Sequence, residues 1–237
     1  MSDSCNQSQV KCFQDKDLCK IKNIRIEELP KNSLYVRPYR LLFTDEHNNN
    51  QVERIWDCVD AHSSVAIIVF NKSNDTLVLV RQFRPAVNVM FAKEHQQVSS
   101  LHDIDFSKQD PAEGITWELC AGIIDKSGKT NKEIIQIELL EECGYNVDLD
   151  TIEKVSQYRT GVGIHGGLQE LFYVEVTNEM KTNMGGGNAT EQELIVVHEI
   201  SVNDVYKFIF DETKAKSTNL MFAMFWFLHQ KKRLPPV

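Results

Sequence analysis

Positive charge is what this sequence most plainly lacks: 26 Lys and Arg stand against 34 Asp and Glu, for a formal net charge of −8. Sequence-independent binding to nucleic acid needs an excess of cations on one face, so that class of partner is not expected. Any phosphorylated ligand must instead be held locally, by a few cations or a metal. Long apolar runs are missing too. The longest, Leu220 to Leu228, falls far short of the roughly 20 residues that span a bilayer, and no membrane anchor is expected. The N-terminus is polar, without the apolar core of a secretory leader, and the six cysteines contain no CxxC pair. A reduced, cytoplasmic setting fits these absences. Cys5, Cys12 and Cys19 are evenly spaced, but no His lies among them, so a flexible tail is favoured over a zinc site.

What is present is a patterned chain of 237 residues, long enough for one large core and an arm. Residues 1–20 are polar and without period, and read as a disordered leader. Residues 21–60 read as a β-rich arm: Asn32 to Thr44 and Glu53 to Asp60 are β-formers around the turn-rich DEHNNNQ, the pattern of a hairpin. Residues 61–237 read as the main domain. Its strongest strands are 63–71 and 76–84, whose near-continuous apolar character implies burial on both faces. Ala92 to Thr116 reads as an irregular surface excursion, and Trp117 to Cys120 as a short strand. Further strands are expected at 154–160, 168–176 and 194–200, and helices at Val202 to Phe210 and Ser217 to Lys231. In the last helix Leu220, Met221, Met224, Phe225 and Leu228 share one face, a core stripe rather than a cofactor site. The sum is an α/β fold, a mixed sheet flanked by helices and preceded by the arm.

The chemistry is concentrated between Ala121 and Tyr145. Thr130 followed by Glu133 forms a capping box, and Gly144 suits a left-handed helix end, so a helix is expected from about Asn131 to Cys143. Ile134, Ile135, Leu139 and Cys143 supply its apolar stripe, while Glu138, Glu141 and Glu142 project from one neighbouring face. On open surface three such acids repel by a few tenths of a kcal/mol per pair, and a solvated face would account for them. A divalent cation would turn the repulsion into coordination, because carboxylate oxygens suit hard ions.

This segment resembles the Nudix box, which runs from a Gly through a spacer to Arg-Glu-apolar-x-Glu-Glu-x-Gly-apolar; Gly122 and Glu138 to Tyr145 are the matching residues. Two departures stand out: Gly128 lies near the place of a spacer Glu, and Ile137 takes the place of the Arg. Tyr35-Val-Arg37-Pro38, Leu77 to Ala86, Glu118 to Gly122 and Gly161-Val162-Gly163 further resemble UDP-sugar diphosphatases related to ADP-ribose diphosphatases.

The resemblance implies an α/β/α Nudix fold and hydrolysis of UDP-glucose to UMP and glucose 1-phosphate, with magnesium or manganese as cofactor. It implies metal ligation by Glu138, Glu142 and the Ala121 carbonyl, with Glu141 as a third acid. Glu118 either ligates metal or holds its loop. Arg84, and more weakly Arg81, would bind phosphate. The stretch Gly185 to Glu193 resembles a mobile loop that brings Glu191 as general base and Glu193 as a further ligand. The arm of this subgroup crosses to a second subunit, which implies a homodimer with Tyr35 and Arg37 near the substrate. An ADP-ribose or broad nucleotide-sugar diphosphatase, and a non-catalytic binding module on the same fold, are the alternatives.

Overall fold

The computed structural model describes residues 14–33, 35–47 and 50–232. Its centre is a seven-stranded mixed sheet built from β3 (Ser64–Asn71), β4 (Thr76–Phe83), β5 (Ile115–Glu118), β6 (Cys120–Ile123), β7 (Glu153–Thr160), β8 (Gly167–Val176) and β9 (Ile195–Ser201). The order β5-β4-β3-β8-β7 forms the spine, with β6 on β3 and β9 on β4; β3 and β8 are parallel, the other pairs antiparallel.

Strand β3 explains the sandwich. Its side chains alternate between faces, and both faces are buried: Val65, Ile67 and Val69 enter one core with Ile134, Ile135 and Leu139, while Ala66, Ile68 and Phe70 enter a second with Val205, Leu220 and Phe227. Helix α3 (Asn131–Glu138) covers the first face, and α4 (Val202–Ile209) with α5 (Thr218–Gln230) the second. The expected stripe on α5 is buried at Leu220, Met224 and Leu228, and Phe227 joins it at 0% exposure.

Two expectations give way. The leader was read as structureless to residue 20, but Asp15–Leu18 forms a helical turn, α1, seated on the sheet. Leu18 is buried with Ile115 and Val196, and the Asp15 carboxylate binds Arg81 and His198. One apolar anchor and one charge thus fix a segment whose composition alone is that of a solvated tail. Cys5 and Cys12 lie outside the described residues, and Cys19 is an exposed free thiol. The second correction is α2 (Pro85–Gln96), followed by three short 3₁₀ turns where an irregular excursion was expected. Proline at its first turn starts that helix, but only Asn88 and Ala92 are buried, so little apolar period marks it.

The arm is a two-stranded antiparallel ribbon, β1 (Arg37–His47) paired with β2 (Asn50–Asp60), separate from the main sheet. It touches the main domain near its base, where Val59 N–H donates to the Ile164 carbonyl (2.9 Å) and the Trp56 indole to that of Gly163 (3.0 Å).

Candidate active site

The helix that carries the acids starts as its sequence dictates: the Thr130 hydroxyl accepts from Glu133 N–H, and the Glu133 carboxylate from Thr130 N–H. From Leu139 to Cys143 it widens into a π turn, ended by Gly144 at φ +81°. Such turns are frequent at functional sites. Glu138 and Glu142 stand four residues apart across the start of this turn. Glu138 and Glu142 are 9% and 2% exposed and both line a cavity of about 1220 Å³. Glu141 does not line that cavity, although its charge is felt at Glu138.

Glycine chemistry holds this turn in place. Gly185 (φ +68°) lies so close that a Cβ would sit 2.2 Å from the Glu142 carbonyl oxygen. The neighbouring amides of Gly186 and Gly187 donate to the carbonyls of Glu142 (2.9 Å) and Glu141 (3.1 Å), satisfying the helix end. These glycines, expected in a mobile loop, pack closely against the turn in this conformation. Beyond them Ala189–Glu191 makes a single turn that brings exposed Glu191 to the cavity, and Glu193 also lines it.

Charge in the cavity is finely divided. Burial raises Glu142 to about 8, with Glu193 and Glu138 adding to the effect, although the Ala121 amide donates to its carboxylate at 3.1 Å. Burial also raises Glu138, opposed by the Lys126 ammonium at 2.6 Å. Glu138 lies across β6 at Gly122, where any side chain would collide with it at 2.5 Å. Arg84, cap residue of α2, also lines the cavity and grips Glu118 bidentately at 2.7 and 2.6 Å. Glu118 also accepts from Gln82 and Thr116. It is saturated, so of its two expected roles the structure displays the one that holds its surroundings.

The other expected residues divide clearly. Tyr35 stands at the cavity rim, 68% exposed. Arg81 does not line the cavity; it stacks over Trp117 (4.7 Å) and binds Asp15, a structural cation rather than a phosphate ligand. Arg37 is at the base of the arm, in a cleft with Asp60 and His165. Ala121 lines the cavity, with its amide rather than its carbonyl engaged on the acid. Sequence reasoning missed Lys126 and Lys216, both on the wall. Lys126 had a signal: it lies between Gly122 and the acid helix, in the spacer that crosses the mouth. It supplies a cation to Glu138 where Ile137 supplies none.

The donor set of Glu138, Glu142 and Glu193 has the chemistry a hard divalent ion needs. In this conformation each acid is engaged elsewhere, Glu193 by the Asn188 amide at 3.0 Å. Among the described residues no group of three or more His, Cys, Asp and Glu is gathered closely enough to hold an ion. The carboxylates fit a metal in kind, and the ion would have to displace Lys126 and draw Glu193 in.

Comparison with known proteins decides the family. The chain is 34% identical over 212 residues to uridine diphosphate glucose pyrophosphatase NUDT14 of Bos taurus, spanning 86% of this chain and 94% of that protein. The chain belongs to the Nudix hydrolase family. The Mus musculus protein of the same name matches this Nudix hydrolase at 35% over 205 residues, 84% of the chain and 90% of the relative. A GDP-mannose pyrophosphatase of Yersinia enterocolitica matches at 26% over 210 residues, 89% and 96% of the two chains. No family model matches. These relatives make the Nudix hydrolase a nucleotide-sugar pyrophosphatase and match its α/β fold.

Proposed function

We infer that this Nudix hydrolase cleaves the diphosphate of UDP-glucose to UMP and glucose 1-phosphate with a divalent cation, magnesium or manganese. The observation that carries the reading is a cavity lined both by buried Glu138 and Glu142 and by Arg84. Relatives named as UDP-glucose pyrophosphatases support the substrate.

Arg84 reaches one phosphate with a planar fork of donors, fixed in direction by Glu118. Glu138, Glu142 and Glu193 would hold the cation, which when bound would neutralise charge on the phosphates and make a water more acidic. Lys126, which also lines the cavity, would place a positive charge near the phosphates. Glu191, exposed on its turn and joined to Asn188 at 3.4 Å, takes the proton from the attacking water. Glu141, whose carbonyl accepts from Gly187, adds a third negative charge beside Glu138.

A homodimer and a cytoplasmic setting complete the reading. The cross-strand pair Leu42 and Ile55 is 69% and 59% exposed, and Leu41 and Trp56 on the other face are each 49% exposed. An isolated two-stranded ribbon is marginally stable, and a second copy would cover it. Cys120 and Cys143 are buried free thiols, as a reducing compartment keeps them. Among the described residues no helix is long and apolar enough to cross a membrane.

The direct test is incubation with magnesium and UDP-glucose, ADP-ribose or GDP-mannose, with products resolved by chromatography. UMP and glucose 1-phosphate should form fastest, and EDTA should stop the reaction. A preference for ADP-ribose would move the protein to the broader diphosphatases, and absence of turnover on all three would make it a binding module.

A further inference from the structure

The acidic loop before β9 is held at both of its ends, and the second hold comes from the N-terminal turn. At its start the amides of Gly186 and Gly187 donate to the π turn, and the Asn188 amide donates to the Glu193 carboxylate at 3.0 Å. Between Glu191 and Glu193 lies Gln192 at φ +58°, a left-handed conformation that residues with a Cβ seldom adopt. Backbone of that kind keeps its shape only where its flanks are fixed. Directly after Glu193, Leu194 packs against Leu18, Ile115 and Val196.

Leu18 closes that apolar pocket. It is 1% exposed, and the strand residues beneath it, Ile115 on β5 and Val196 on β9, are buried with it. A four-residue helical turn has no stability of its own, so α1 is held by what it touches. Its second anchor is Asp15, whose carboxylate accepts from Arg81 on β4 and meets the His198 ring on β9 at 2.8 Å. Arg81 lies 4.7 Å over the Trp117 ring, and the Trp117 and His198 rings are 5.1 Å apart, so the charged anchor is itself braced. One carboxylate and one apolar side chain thus tie α1 to β4, β5 and β9. The apolar one reaches the neighbour of Glu193. No residue of α1 lines the cavity, so its influence there passes through Leu194.

We propose that Leu18 is a positioning residue for the acidic loop: seated on Leu194, it fixes the end of residues 189–193 and so the direction in which Glu191 and Glu193 face the cavity. What those acids do rests on the diphosphatase reading above, whereas how they are held rests on packing alone. A segment with the composition of a solvated tail then becomes part of the support of the site.

Leu18→Ala, which empties the pocket, and Leu18→Met, which refills it, test this in the full chain. In hydrogen exchange without substrate or metal, the amides of residues 188–194 should exchange about tenfold faster in Leu18→Ala than in the wild type, while those of β7, at the far edge of the sheet, keep their rate. Leu18→Met should restore slow exchange. Manganese affinity, read by electron paramagnetic resonance, should fall about tenfold in Leu18→Ala and recover in Leu18→Met, as expected of support behind a metal ligand. Unchanged exchange in the loop, equal acceleration in the loop and β7, or a Met variant no better than Ala would each overturn the positioning role. A loop that loosens while manganese affinity holds would overturn it too, since Glu193 would then not need its anchor. If the wild type binds no manganese, the metal reading of Glu193 fails, and exchange alone decides whether Leu18 positions the loop.

Discussion

The acid turn after α3 and the β1–β2 ribbon differ in how far one chain completes them. At the turn, the carbonyls of Glu141 and Glu142 meet glycine amides, and Glu138 meets Lys126. The backbone groups there have partners from elsewhere in the same chain, but the acids outnumber the cations. The ribbon is the reverse. Its strands pair fully with each other over Arg37–His47 and Asn50–Asp60, yet its large apolar side chains face water. The turn is complete as structure and unfinished as electrostatics; the ribbon is satisfied in its hydrogen bonds and unfinished in its packing. On the proposed reading a cation would finish the first and a second chain the second.

The strongest way to break this contrast is Glu142→Gln. It keeps shape and removes the buried charge, so turnover of UDP-glucose should fall by about 10³-fold while the fold persists, measured by steady-state kinetics and circular dichroism. A loss below about tenfold would leave the turn without a chemical role.

Next in size is Gly185→Val. The new Cβ meets the Glu142 carbonyl and the residue must hold φ +68°, so a cost of about 2 kcal/mol or more is expected, and a fall in Tm of about 5 °C by calorimetry. An unchanged Tm would mean that the glycine loop swings free of the turn.

Much of the turn was legible in advance because its signals are local. Thr130, Glu133 and Gly144 lie within one helix and specify its ends, and β3 announces two-sided burial by its own unbroken apolar run. What was not legible depends on residues distant in sequence. The π turn that ends the acid helix is set against Gly185–Gly187, more than 40 positions later. Arg81 reads as a phosphate ligand until Asp15 and Trp117 close over it. Leu18 reads as one apolar residue in a tail until Ile115 and Val196 supply its pocket. Helix α2 hides for another reason, since it buries too little to leave an apolar stripe.

A smaller effect sharpens the electrostatic half. Glu142 has its folded pKa raised from 4.5 to about 8, so the stability it contributes is fully present below about pH 4.5 and is lost as pH rises towards 8. Without divalent ions, Tm of the wild type should therefore fall by about 5 °C between pH 5 and pH 8 relative to Glu142→Gln, whose side chain does not titrate. Parallel profiles would contradict the burial of that charge.

The smallest thermal effect belongs to the ribbon. Leu42→Glu with Ile55→Glu places two charges on one cross-strand pair, which should convert the dimer to a monomer by light scattering and move Tm of the main domain by no more than a few degrees. A wild-type protein already monomeric would refute the second-copy reading.

The central claim is that the buried acids await a cation. Its most direct measure is the magnesium-induced change in Tm at pH 8 for the wild type and for Glu142→Gln. The wild type should gain several degrees at millimolar magnesium, because an ion that binds only the folded chain stabilises it, and the variant should gain almost none. Equal gains in the two proteins would show that Glu142 does not hold the ion.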